Sequence, residues 1–118
     1  MGKHVLVVMQ DEYEASQMIR SLKEADFYAK DSYDDPPDLI VLDTSSRNRG
    51  AEHILTDIVR KFQASSMPVI LLGGAPPGPI ERLLLKFNTK MTVRKPFEPR
   101  DVIEVVKTLM QRLNIGNE

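Results

Sequence analysis

The chain of 118 residues has no cysteine, which excludes a disulfide framework and any thiolate metal site. Histidine is nearly absent as well: His4 and His53 are the only two, too few for a histidine-built metal centre. No apolar run approaches the roughly 18 residues of a membrane span. The N-terminus carries one lysine and then a strand-like run, which does not read as a secretory leader. A large charge of one sign is also missing. Sixteen Lys and Arg against 17 Asp and Glu leave a net charge of -1, so no strong field draws the chain to nucleic acid or to an anionic membrane. What is present is a globular balance, 42% apolar and 28% charged, in a length that suits one domain with a real core. The expected organisation is a single domain over 1–118, with residues 114–118 as a tail or linker remnant, in the cytoplasm.

The apolar pattern switches period along the chain. "HVLVV", His4 to Val8, is short and β-branched and reads as a buried strand. Ala15, Met18, Ile19, Leu22 and Ala25 then recur at helical spacing and predict a helix over 12–25. Phe27 to Asp31 reads as a weak second strand, and Asp34-Asp35-Pro36-Pro37 breaks the chain. Leu39 to Leu42 reads as a third strand, with a helix from Ile54 to Phe62 after it. Val69 to Leu72 reads as a fourth strand, "GGAPPGP" from Gly73 to Pro79 as a loop, and Ile80 to Phe87 as a helix. Met91 to Val93 is the expected fifth strand, followed by an amphipathic helix from Val102 to Leu113.

Five short strands alternating with helices imply an α/β fold with a parallel sheet covered on both faces. Functional crevices in such sheets lie beyond the C-terminal strand ends. Asp43, directly after the third strand, and Lys95, after the fifth, both fall there. One connection breaks the pattern. Only about seven residues separate Asp31 from Leu39, whereas a crossover through a helix needs about a dozen or more. Seven extended residues reach at most ~25 Å, just enough to run back along a strand of ~17 Å. An extended strap is therefore expected instead of a helix, leaving one sheet face uncovered beside Phe27 and Ala29.

Three stretches, "HVLVV", "PDLIVLD" ending at Asp43, and "VRKPFEPRDVIEVVK" carrying Lys95, Pro96 and Phe97, resemble the receiver domain of two-component response regulators. The Asp43-to-Lys95 separation of 52 residues fits that family too. The resemblance implies a flavodoxin-like, doubly wound, five-stranded parallel sheet of order 2-1-3-4-5, here with the helix between strands 2 and 3 missing. It also implies that Asp43 is the phospho-acceptor position, that Lys95 is the phosphate-holding lysine, and that Lys95-Pro96 is cis. In the family, two acids after strand one bind Mg²⁺ together with the acceptor. A Ser or Thr after strand four contacts the phosphate, and an aromatic residue on strand five reports the state.

Four of those positions depart from the family. Met9 and Gln10 stand where the acid pair is expected, Gly73 replaces the hydroxyl residue, and Thr92 replaces the ring. Mg²⁺ wants hard oxygen ligands, and phosphoryl transfer is mostly positioning and charge neutralisation, so a thioether and a neutral amide remove the main catalytic contribution. Asp11 and Glu12 are the only nearby acids able to join Asp43 as metal ligands, and only if the first strand ends two residues later.

The leading expectation is a degenerate, pseudo-receiver module. It would be non-enzymatic and without a cofactor, and would work through protein-protein contacts. Its partners would be signalling proteins, namely a histidine kinase or an output or adaptor protein. The basic residues Arg82, Lys86, Arg94 and Lys107 are a candidate docking face, and homodimerisation through the second-strand side is expected from the missing helix. The alternatives are a working response regulator, phosphorylated on Asp43 by a histidine kinase with Mg²⁺ as cofactor, and a flavodoxin-like module that binds a small anion near Lys95. If Asp43 is a relic, it is expected to pair with Lys95 for charge balance. A hydrolase built from His53 with Ser45 or Ser46 lacks an orienting acid. "GGAPPGP" lacks the Lys-Ser/Thr of a phosphate-binding loop.

Overall fold

Valine, leucine and isoleucine runs become strands whose side chains alternate between two helical layers. The computed structural model describes residues 3–45 and 48–115, with side chains through residue 112. The strands are β1 (His4–Val8), β2 (Tyr28–Lys30), β3 (Leu39–Asp43), β4 (Pro68–Leu72) and β5 (Asn88–Val93). The helices are α1 (Glu12–Glu24), α2 (Gly50–Lys61), α3 (Gly78–Leu84) and α4 (Pro99–Ile115), with a 3₁₀ turn at Ala64–Ser66. The five strands form one parallel sheet in the order β2-β1-β3-β4-β5, the flavodoxin-like order expected from the sequence.

Because strand side chains alternate with period two, each apolar run feeds both faces. Val5, Val7, Val41 and Ile70 pack with Met18 and Leu22 of α1 and Val102 and Val106 of α4. Leu6, Ile40, Leu42 and Val69 pack on the other face with Leu55 and Ile58 of α2 and Ile80 and Leu84 of α3. Fully burying one such Leu or Ile contributes roughly 1.5–3 kcal/mol. Two-sided burial is why these strands read as continuous apolar runs.

The first helix is bounded by side chains and backbone visible in the sequence. Asp11 is its N-cap, accepting the Glu14 N–H at 2.9 Å, with Glu12 and Glu14 in the first turn and Lys23 in the last. At its end Asp26 adopts φ 70°. The Phe27 and Asp26 N–H groups donate to Leu22 and Lys23 carbonyls, each at 3.0 Å. This is a Schellman closure in which aspartate occupies the left-handed position usually given to glycine.

No helix joins β2 to β3; residues 31–38 form the expected strap. It is anchored at its far end by two bonds to β1. The His4 N–H donates to Asp38 Oδ2 at 2.7 Å, and the Asp38 N–H to the His4 carbonyl at 2.9 Å. The uncovered face is not the expected one. Ala29 is fully buried and Phe27 half-buried against the α1 and α4 side. The face left without its helix is the opposite one, where Tyr28 and Lys30 point, and the strap itself covers part of it. Tyr33 packs on the α2 layer, with its ring 6.1 Å from that of Phe62 in an edge arrangement. Its hydroxyl donates to Asp57, which Lys61 also contacts at 3.3 Å. Burial, then the Asp57 contact, pushes the Tyr33 hydroxyl up to about 12, and the Tyr33 hydrogen bond holds the Asp57 carboxyl below its usual range.

Other boundaries shift from expectation. β5 begins at Asn88, not Met91, with a bulge at Lys90: Thr89 pairs with Val69, but Met91 with Ile70. Its residues from Thr89 to Thr92 are exposed, so they carry no apolar signal. α3 starts at Gly78, inside the expected loop, because a proline at position 79 is compatible with a first helical turn. It ends at Leu84, short of Phe87. α2 begins at Gly50, ahead of its apolar periodicity. α4 continues through Ile115, and the rest of the expected tail, residues 116–118, lies outside the described residues. No described helix is long and apolar enough to cross a membrane.

Candidate functional site

The C-terminal ends of β1, β3, β4 and β5 meet at one end of the sheet, and hydrogen bonds between neighbouring strand exits hold all four in place. Asp43, the last residue of β3, is half-buried and its Oδ1 accepts the Ser45 N–H at 2.9 Å, an Asx turn. Asn48 is buried, and its Nδ2 donates to the Asp43 carbonyl at 2.8 Å and to the Val8 carbonyl at 3.1 Å. One amide thus ties the exits of β1 and β3 together. Thr44 is buried as well. Its N–H donates to the Leu72 carbonyl at 3.0 Å, and its hydroxyl lies 3.0 Å from both the Leu72 and Gly74 carbonyls. The single hydroxyl proton serves one of them at a time.

Gly73 owes its identity to that threonine. Its φ is +114°, and a Cβ added there would lie 2.8 Å from Thr44 Oγ1. Only glycine combines that backbone with that contact. The position where the resemblance implies a hydroxyl side chain is therefore filled by a hydroxyl arriving from the neighbouring strand, already bonded to backbone. The Gly73 N–H is used too, donating to the Val93 carbonyl at 2.9 Å.

The remaining candidates do not converge on Asp43. Met9 is half-buried and packs into the α1 and α4 core, while Gln10 is exposed. Asp11 and Glu12 are exposed at the start of α1, and the Asp11 carboxylate is committed to the helix cap. Among the described residues no three His, Cys, Asp or Glu side chains form a group able to hold a metal ion. A half-buried thioether and an exposed neutral amide do not supply the hard anionic oxygens that Mg²⁺ demands, and the Asp11 carboxylate already caps the helix.

Lys95 is exposed, and its bond to Pro96 is cis, as the resemblance implies. It lines a hollow of about 470 Å³ with Leu71, Gly73, Pro76, Thr92 and Arg94. Asp43 lines a separate hollow of about 130 Å³ with Thr44, Asn48, Pro77 and Ile80. The Asp43–Lys95 ion pair expected from charge balance is not among those of the described residues, which are Lys61–Asp57 and Arg100–Glu98. The physical reason is that Asp43 is only half-buried and takes a backbone N–H, so no cation is required. His53 is exposed on α2, and Ser46 lies outside the described residues. Thr44 and Asn48 were not foreseen from sequence. "LDTSS" reads as turn chemistry, and nothing in the composition marks which hydroxyl turns inward.

No family model matches the chain, and no curated protein matches it in sequence. Solved structures do match in three dimensions. A response regulator signal receiver domain from Bermanella marisrubri aligns over 93% of this chain and 99% of its own, with TM-score 0.67 at 16% identity. A receiver domain of a signal transduction histidine kinase from Syntrophus aciditrophicus aligns over 93% of this chain and 91% of its own, with TM-score 0.67 at 18% identity. NtrX from Brucella abortus aligns over 99% of this chain but only 28% of its own, with TM-score 0.71 at 18% identity. Strand order, the acceptor-position aspartate at the end of β3, the lysine after β5 and these superpositions together give the chain the fold of the response-regulator receiver domain.

Proposed function

We propose that this chain is a signalling module of receiver fold that acts by protein-protein contact, without Mg²⁺-dependent phosphoryl transfer to Asp43. The observation that carries the reading is the fate of the acid positions. Met9 is in the core, Gln10 is a neutral amide in solvent, and Asp11 is occupied as a helix cap. Asp43 belongs to no group of three His, Cys, Asp or Glu side chains able to hold a metal among the described residues. Without a bound cation, nothing offsets the charge that gathers when a phosphoryl group approaches a carboxylate. The Thr44–Gly73 contact supports the same reading, since it fills the second switch position with a hydroxyl already bonded to backbone. On this reading the module is non-enzymatic and cytoplasmic. Its partners are a histidine kinase or an output protein, and Arg82, Lys86, Arg94 and Lys107 are available for docking.

The test is exposure to acetyl phosphate and Mg²⁺ under conditions that label an ordinary receiver, read by intact mass and by amide shifts. No adduct is expected, and Mg²⁺ alone is expected to leave the Asp43 amide unmoved. An adduct that disappears in Asp43→Asn would overturn the proposal and restore Asp43 as a working acceptor.

A further inference from the structure

The charges of the chain are sorted between the two edges of its sheet. Residues 24–38 hold six acids (Glu24, Asp26, Asp31, Asp34, Asp35 and Asp38) against one base, Lys30. Residues 82–97 hold five bases, Arg82, Lys86, Lys90, Arg94 and Lys95, and no acid. The two segments carry -5 and +5, while the whole chain carries -1. The acidic segment includes β2 and the strap, and the basic one runs from α3 through β5. The strand order puts β2 and β5 at opposite edges. All eleven side chains of the majority sign are exposed, and none belongs to the ion pairs of the described residues. Each edge also shows apolar surface: Tyr28 is 50% exposed on the acidic side, and Leu85 and Met91 are 83% and 50% exposed on the basic side.

We infer that the chain associates head to tail, the acidic strap edge of one copy docking on the basic α3–β5 edge of the next. Charge complementarity names the partner as a second copy, because each surface finds its match on the same molecule. Such a contact is heterologous: it leaves one acidic and one basic edge open at the ends, so it extends into short filaments or closes into rings. The Lys90 bulge and the lysine itself keep β5 from continuing the sheet, so the contact is made by side chains and is sensitive to salt. It does not depend on whether Asp43 is phosphorylated.

Sedimentation velocity at rising concentration tests this on the intact chain. At about 20 mM salt the weight-average mass is expected to climb past that of a dimer. At about 300 mM the association constant is expected to fall on the order of tenfold, as the screening length drops below 10 Å. Two neutralised variants sharpen the test: Asp31→Asn/Asp34→Asn/Asp35→Asn, and Lys86→Gln/Lys90→Gln/Arg94→Gln. Each alone is expected to stay monomeric with an unchanged circular dichroism spectrum. Mixed, they are expected to form a 1:1 dimer and nothing larger, because each lends one intact edge. A monomer at about 1 mM in low salt, association that stops at a two-fold dimer of the native chain, or failure of the mixture to pair would overturn the inference.

Discussion

At the exits of β1, β3 and β4, side chains from inside the domain occupy the space that the altered positions leave. Met9 turns into the core, Asn48 spans two strand ends, and the Thr44 hydroxyl sits where a side chain at Gly73 would be. At the exit of β5, Thr92, Arg94 and Lys95 stand exposed round an open hollow. The two regions belong to one arrangement of strand ends, yet one is sealed and the other is open. Side chains fill the inner exits where the backbone is buried, because unsatisfied carbonyls and voids are costly there. At the edge strand water satisfies the backbone, and nothing had to be filled. Rigidity at the inner exits and accessibility at the outer one suit a module gripped from outside better than one that rearranges from within.

Three variants probe that contrast. The largest effect is expected for Gly73→Ala, which combines a left-handed backbone with a Cβ 2.8 Å from Thr44 Oγ1. A loss of about 2–4 kcal/mol in denaturant unfolding is expected. Adding Thr44→Ala should return the steric part while leaving the backbone part, a coupling that a double-mutant cycle reads directly. If Gly73→Ala is neutral, the inner exits are not sealed. Next comes Asn48→Ala, which strips the amide from the Val8 and Asp43 carbonyls and should cost about 1–3 kcal/mol, against almost nothing for Thr92→Ala on the open side.

The smallest effect is expected for Tyr33→Phe, about 1 kcal/mol at neutral pH, and its signature is its pH dependence. The Tyr33 hydroxyl is raised from 10.0 to about 12 in the folded chain, so its contribution is complete below pH 10 and is lost as pH climbs to about 12. The phenylalanine variant should lack that alkaline loss. Its Asp57 carboxyl should also rise toward the ordinary range, since the Tyr33 hydrogen bond is the main cause that lowers it. An unchanged alkaline profile would mean that the strap is not held by this hydroxyl.

The strand order was implied by the family resemblance alone, whereas the strap and the positions of Asp43 and Lys95 at strand ends were legible because they follow from buried apolar runs and connection lengths. Both are written in residue type and count. β5 was half hidden, because Thr89 and Lys90 are exposed on an edge strand and carry no burial pattern. Which face lost its helix was misjudged. Ala29 and Tyr28 alternate across the sheet, and only the three-dimensional pairing tells which of them meets α1. Gly73 looked like a deletion of function because its reason lies 29 residues away in Thr44. A contact between two strands leaves no mark on local sequence.

That contact also relocates the pivot of the segment leading to α3. The Thr44 hydroxyl stands 3.0 Å from the Leu72 and Gly74 carbonyls and bonds one at a time, so the segment is tethered on both sides of the end of β4. Free travel starts only at Ala75, and the prolines at 76 and 77 restrict φ from there to the helix. Only residues 75–77 separate this tether from α3, which leaves a short lever between the buried strand ends and the helix.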